Sequence, residues 1–207
     1  MTIENLHPGL NLGAAHGEAH TRSEPVIFGF WVFLMSDLIL FGILFATYVA
    51  MSNGTAGGPG PQELFNLTSI AIQTGLLLLS SLTFGFASLT LKHDEGRRRH
   101  LLIWLIITAA LAVAFLGFEA SDFHSMMQKG GVPSRSGWLS AYYALVGLHG
   151  IHIIIGLLWM AVMLAQISVF GLSYQVKVRL LMLGLYWHFL DLVWVGIFSI
   201  VFLAGVA

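Results

Sequence analysis

Five titratable side chains sit where this chain is otherwise continuously apolar: Asp37, His149, His152, His188 and Asp191. A carboxylate at the centre of a membrane helix costs roughly 2.5–3.5 kcal/mol on insertion scales, so such groups normally face protein or water. Spacing adds to type. His149 and His152 are separated by three positions, as are His188 and Asp191, and on a helix each pair shares one face. A neutral imidazole can donate to a carboxylate and thereby fix its own tautomer. We therefore expect a hydrogen-bonded cluster of His149, His152, His188 and Asp191 between the fourth and fifth apolar segments, with Asp37 nearby. Three chemistries are open to it: helix-to-helix glue, proton handling or lipid-headgroup binding, and metal or haem ligation. Ligation is limited by supply. The histidines at membrane depth are too few for two haem irons and a copper, although His152 and His188 on facing helices suit a single bis-histidine haem. Two further acids, Glu119 and Asp122, are expected to end the third segment near the outer surface.

These groups must be carried by membrane helices. Of 207 residues, 57% are hydrophobic and 9% charged, and the mean hydropathy is +0.84. Soluble domains carry about 25% charged residues. A net charge of −1 gives no hint of a nucleic-acid partner. There is no cysteine, which excludes disulfides, iron–sulfur clusters, thiolate zinc sites, c-type haem attachment and thiolate copper centres. The fold class expected is all-α, a polytopic bundle of five transmembrane helices over residues 25–207. The segments run about 26–51, 67–91, 101–120, 138–170 and 180–207. Each is at least about as long as the ~20 residues that span a bilayer, and none shows the alternation of a barrel strand.

Residues 1–24 are polar, contain Glu4, Glu18 and Glu24, and lack the basic start and short apolar run of a cleavable signal. They are expected to form a mobile cytoplasmic tail, in which His7, His16 and His20 could bind metal weakly, and the first apolar segment is expected to be a retained anchor. Gly/Pro-rich sequence at 53–61, the basic stretch Lys92 to His100, Gly130-Gly131-Val132-Pro133, and Gly171 with Ser173 separate the segments. No internal repeat is visible. Seven lysines and arginines fall in the tail and the second and fourth linkers, against Lys129 and Arg135 on the other side. That bias places the N-terminus in the cytoplasm and the C-terminus outside a bacterial inner membrane. The run Arg97-Arg98-Arg99 serves as topology signal or contact for anionic lipid heads. Trp104 and Trp138 read as interfacial anchors. Gly147, Gly150, Gly156, Ser80, Ser81 and Gly85 allow close helix approach, within the chain or towards another subunit.

Two stretches resemble a known family. Gly147-Leu148-His149-Gly150-Ile151-His152-Ile153-Ile154-Ile155-Gly156 resembles the G-x-H-G-x-H-x-x-x-G stretch of subunit III of haem–copper terminal oxidases. Tyr186-Trp187-His188-Phe189-Leu190-Asp191-Leu192-Val193-Trp194 is similar to that family's YWHF-x-D-x-x-W signature. The first segment, Phe33 to Phe41, resembles the family helix with an acid after serine; Asp37 stands where glutamate is usual. Leu79-Ser80-Ser81-Leu82-Thr83 and Phe118-Glu119-Ala120-Ser121-Asp122-Phe123 fit as well. Five helices without the two additional N-terminal ones of many members, together with Asp37 and Phe28-Gly29-Phe30-Trp31, are most similar to the cytochrome o ubiquinol oxidase branch. The resemblance implies a non-catalytic subunit with no redox centre of its own, beside a subunit I that holds the haems and copper. It also implies subunits II and IV as partners, bound phospholipid, and support of assembly and proton uptake during quinol oxidation. Rival expectations are subunit III of a cytochrome c oxidase, a small proton-coupled transporter relaying through Asp37, Glu119 and Asp191, and a haem b electron carrier.

Overall fold

A computed structural model describes residues 16–93 and 98–206. Its long helices are α1 (His16–Met51), α3 (Leu67–His93), α4 (Arg98–Gln128), α5 (Gly137–Phe170) and α6 (Tyr174–Ile197), with a single-turn α2 (Pro61–Leu64) between the first two. Beyond α6 the same rod continues as a π-helical stretch, Phe198–Leu203, and a final turn, Ala204–Val206. The described residues contain no strand. Five helices are long and apolar enough to cross a membrane, as the apolar segments predict.

The helices are longer than their apolar cores. Hydropathy marks the part in hydrocarbon, whereas the hydrogen-bond ladder continues into polar residues at either side. Thus α1 begins at His16 and runs through Pro25, which gives no N–H to the ladder, rather than starting near Val26. Residues 1–15 of the expected tail, including His7, lie outside the described residues, as does part of the basic linker at 94–97 with Arg97. Helix α4 continues to Gln128, so Glu119 lies about 14 Å inside it rather than at its end. It stops where Gly130 takes φ +81° and the Gly131 N–H reaches back to the Met126 carbonyl at 2.8 Å, a Schellman closure that favours glycine. Helix α5 starts at an N-cap, Ser136, whose hydroxyl accepts from the Leu139 N–H at 3.2 Å.

Helices α3 and α4 form a hairpin; α5 packs on α4, α6 and α1; and α6 packs on α1, α3 and α5. The core is aromatic. Phe41, Phe84, Phe115, Trp138 and Trp194 are fully buried, and Phe115 meets Trp194 edge-on with centroids 4.8 Å apart. Trp138 is therefore no interfacial anchor: its indole N–H donates to the Tyr48 hydroxyl at 3.2 Å, which in turn donates to the Val201 carbonyl. Exposed Ile, Leu and Val cover the outward sides of α4 and α5, the surface suited to acyl chains.

Candidate functional site

Helix α6 is the centre of the polar interior, and its signature side chains are divided between two neighbours. Toward α3, the Trp187 indole N–H donates to the Ser80 hydroxyl at 3.2 Å and the Trp194 N–H to the Thr74 hydroxyl at 3.1 Å. Each of those hydroxyls also donates to a carbonyl one turn back, Ser80 to Leu77 and Thr74 to Ile70. One small hydroxyl thus serves its own helix and the facing one, an arrangement suited to a solvent that offers no hydrogen bonds. Toward α5, the Tyr186 hydroxyl donates to the His152 carbonyl at 2.8 Å, and His149 Nε2 donates to the Leu190 carbonyl at 3.3 Å. Gly156 lets α6 approach: a Cβ there would lie 3.1 Å from both the Tyr186 and Trp187 rings.

The titratable groups do not form one cluster. His149, His152, His188 and Asp191 are spread over three seams: His149 lies between α5 and α6, His152 between α5 and α1, and His188, with Asp191 beside it, between α6 and α3. His149, fully buried, turns to a backbone carbonyl and not to Asp191. Its Nδ1 has no hydrogen-bond partner among the described residues. His152 lies between α5 and α1. Its Nδ1 donates to the Leu148 carbonyl at 2.8 Å, and its Nε2 faces Asp37 Oδ2 at 3.7 Å. A carbonyl only accepts, so the neutral His152 ring has a bare Nε2, and a full hydrogen bond to Asp37 requires a proton shared between the two. His188 and Asp191 do face each other along α6, Nδ1 to Oδ2 at 3.4 Å, and Oδ2 has no hydrogen bond among the described residues. His188 Nδ1 is held instead by the Ser81 hydroxyl of α3 at 3.0 Å. His188 is not buried: half its side chain, 51%, is exposed.

Glu119 and Asp122 lie on α4 in different surroundings. Asp122 Oδ2 accepts from the Ser69 hydroxyl at 2.8 Å and the Gln73 amide at 2.6 Å, both on α3. Glu119 is buried, and neither carboxyl oxygen has a hydrogen-bond partner among the described residues. Its carboxyl rests on Gly150 of α5, where a Cβ would come within 2.9 Å of Oε1. Gly150 is therefore a packing residue within the chain. Gly147 has open space in front of it. Sequence reasoning passed over Gln73, Ser69 and Thr74. A glutamine inside an apolar segment was the available signal for the first, since a buried amide needs a partner. The described residues hold no group of three or more His, Cys, Asp or Glu that could bind a metal.

The seams can therefore hold helices in register. The family described as Cytochrome c oxidase subunit III matches residues 11–206. Among similar proteins, the cytochrome bo(3) ubiquinol oxidase subunit 3 of Pseudomonas aeruginosa is 43% identical over 98% of this chain and 96% of its own length. The protein of the same name from Pseudomonas putida is 45% identical over 90% of this chain and 89% of its own. A quinol oxidase subunit 3 from Bacillus subtilis is 41% identical over 86% of this chain and 87% of its own length. With the match spanning nearly every described residue, the chain belongs to the cytochrome c oxidase subunit III family.

Proposed function

We propose that this chain is the third subunit of a quinol-oxidising, proton-pumping haem–copper oxidase in a bacterial inner membrane. It carries no haem or copper itself. It packs beside a haem-bearing subunit I, with subunits II and IV as further partners, its N-terminus cytoplasmic and its C-terminus periplasmic. Its contribution is assembly, stability and support of proton uptake, and phospholipid fills its outer surface. The observation that carries this reading is the way α5 and α6 use their polar groups. Trp187, Trp194, Tyr186 and His149 each meet a hydroxyl or a backbone carbonyl of a neighbouring helix, which is the work of a scaffold. The quinol branch is supported by the names of the similar proteins, and the orientation by the lysine and arginine bias.

Gentle detergent purification through a tag on this chain tests the proposal. We expect co-elution with a larger haem-bearing polypeptide and oxygen uptake driven by ubiquinol. The chain separated from that partner should be colourless. A Soret band from the isolated chain, or solute uptake by proteoliposomes containing it alone, would overturn the reading. Oxygen uptake driven by reduced cytochrome c and not by quinol would move it to the other branch of the family.

A further inference from the structure

Two side chains beside the α4–α5 contact are buried with polar atoms left over. Glu119 is 5% exposed and His149 fully buried. Both Glu119 carboxyl oxygens and His149 Nδ1 lack a hydrogen bond among the described residues. The helix contact brings these three atoms to one place. Phe115, one turn before Glu119 on α4, meets the His149 ring edge-on with centroids 5.9 Å apart. The Glu119 carboxyl lies on Gly150, the residue that follows His149 on α5. Carboxyl and imidazole thus share one stretch of the contact without bonding to each other. The other titratable groups on these faces bring no positive charge. Asp122, nearly one turn further along α4, is occupied by Ser69 and Gln73. Tyr142, two turns before His149 on α5, is packed among Phe65, Phe123 and Phe202.

The hydrogens decide what can sit there. A carbonyl only accepts, so the contact to the Leu190 carbonyl puts the ring hydrogen of His149 on Nε2. Nδ1 of the neutral ring is then a bare lone pair. An ionised Glu119 would add further lone pairs and nothing to donate. We propose that Glu119 and His149 hold one internal water between α4 and α5, with Glu119 in its neutral acid form. The acid O–H donates to the water. The water returns one hydrogen to the other carboxyl oxygen and gives its second to His149 Nδ1. All three leftover atoms are used, and the water makes the three hydrogen bonds usual for a buried one. A direct bond from the acid to Nδ1 would leave the second carboxyl oxygen without a partner. Moving the proton onto His149 would put two charges beside Phe115 and Trp194, where burial disfavours both. The ligand is thus water with one exchangeable proton. The site lies wholly within this chain and does not depend on which complex the chain joins.

A density map of the chain with whatever partners it retains, at a resolution that shows ordered waters, tests the water. We expect a peak at hydrogen-bond distance, about 2.7–3.2 Å, from His149 Nδ1 and from both Glu119 oxygens. Direct contact of the carboxyl with Nδ1, a side chain of another subunit in that position, or apolar packing with no peak would each overturn it. Infrared difference spectra of the same preparation test the proton. Glu119→Gln keeps the shape and removes the acid. Subtracting its spectrum from that of the parent should leave one carboxylic C=O band, which long incubation in deuterium oxide shifts to lower frequency. Carboxylate bands in its place would overturn the neutral acid, and a band indifferent to deuterium oxide would overturn its bond to water. His149→Phe keeps a ring against Phe115 and Trp194 and removes Nδ1. It should move the band to higher frequency, because the water loses an acceptor and holds the acid less strongly. An unmoved band would mean that the histidine takes no part. The map needs no substitution, so it decides the matter even if a variant fails to fold.

Discussion

At the scale of single residues, two sites separate packing from chemistry. Gly150 is small because the Glu119 carboxyl lies against it. Gly150→Ala should destabilise the detergent-solubilised chain by about 1–3 kcal/mol, the usual cost of overfilling a packed contact. Glu119→Ala should remove most of that cost in the double variant, because the two positions share one contact. Denaturant titration of all three variants checks this, and simple additivity would refute the contact. Asp37 and His152 form the other site. Their 3.7 Å separation exceeds a hydrogen bond, and Asp37→Glu adds one methylene toward Nε2. We expect Asp37→Glu to hold or raise thermal stability and Asp37→Ala to lower it by roughly 0.6–1.7 kcal/mol. Equal melting temperatures for the three would mean that the pair does not join α1 to α5.

At the scale of elements, α6 is joined to α3 by paired indoles and hydroxyls. Trp194→Phe keeps the ring against Phe115 and removes the N–H, leaving Thr74 with its own-helix bond. A double-mutant cycle with Thr74→Val should return a coupling of about 0.6 kcal/mol, and at most about 1.7. No coupling, measured by chemical unfolding in detergent, would show that the indole serves through its bulk alone. The positions of the five spans were legible in the sequence, since an apolar run in lipid must be a helix. Their ends were less so, because His16 to Glu24 and Ser121 to Gln128 are polar and helical at once. Least legible was rotation. In a bundle exposed to acyl chains the outward side is as apolar as the inward one, so periodicity does not say which stripe is buried. His188 and Asp191 could be placed on one face of α6 by spacing, but whether that face met α5, α3 or the outside could not. The expected four-residue cluster therefore dissolved into three seams, while the aromatic and hydroxyl partners that set the rotation, Ser80 and Thr74 among them, carry too little signal individually to stand out.

At the scale of the whole molecule, the helices are not held equally. Only 11% of the most apolar window of α1 is buried within the chain, against 50% for the span that contains α6. Helix α1 is attached along one narrow line to α5 and α6, through the Phe30–Trp159 ring contact, the Asp37–His152 approach, Phe41 between His152 and Phe189, and Tyr48 at the far end. Local stability follows the density of buried contacts, so α1 should be the first element to separate and α3 to α6 should behave as a unit. A protease site inserted in the Gly/Pro segment after Met51, where Ala56 and Gly57 already take positive φ, allows the two parts to be cut after folding. In mild detergent the fragments should remain together. As detergent strength is raised, the α1 fragment should leave while the indole circular dichroism from Trp138, Trp187 and Trp194 persists, because those rings belong mainly to the α3–α6 unit. Loss of that signal together with α1 would mean that the Tyr48–Trp138 contact is required to keep α5 and α6 in place. Persistence of both fragments until global unfolding would mean that the narrow line of attachment is stronger than its buried surface implies.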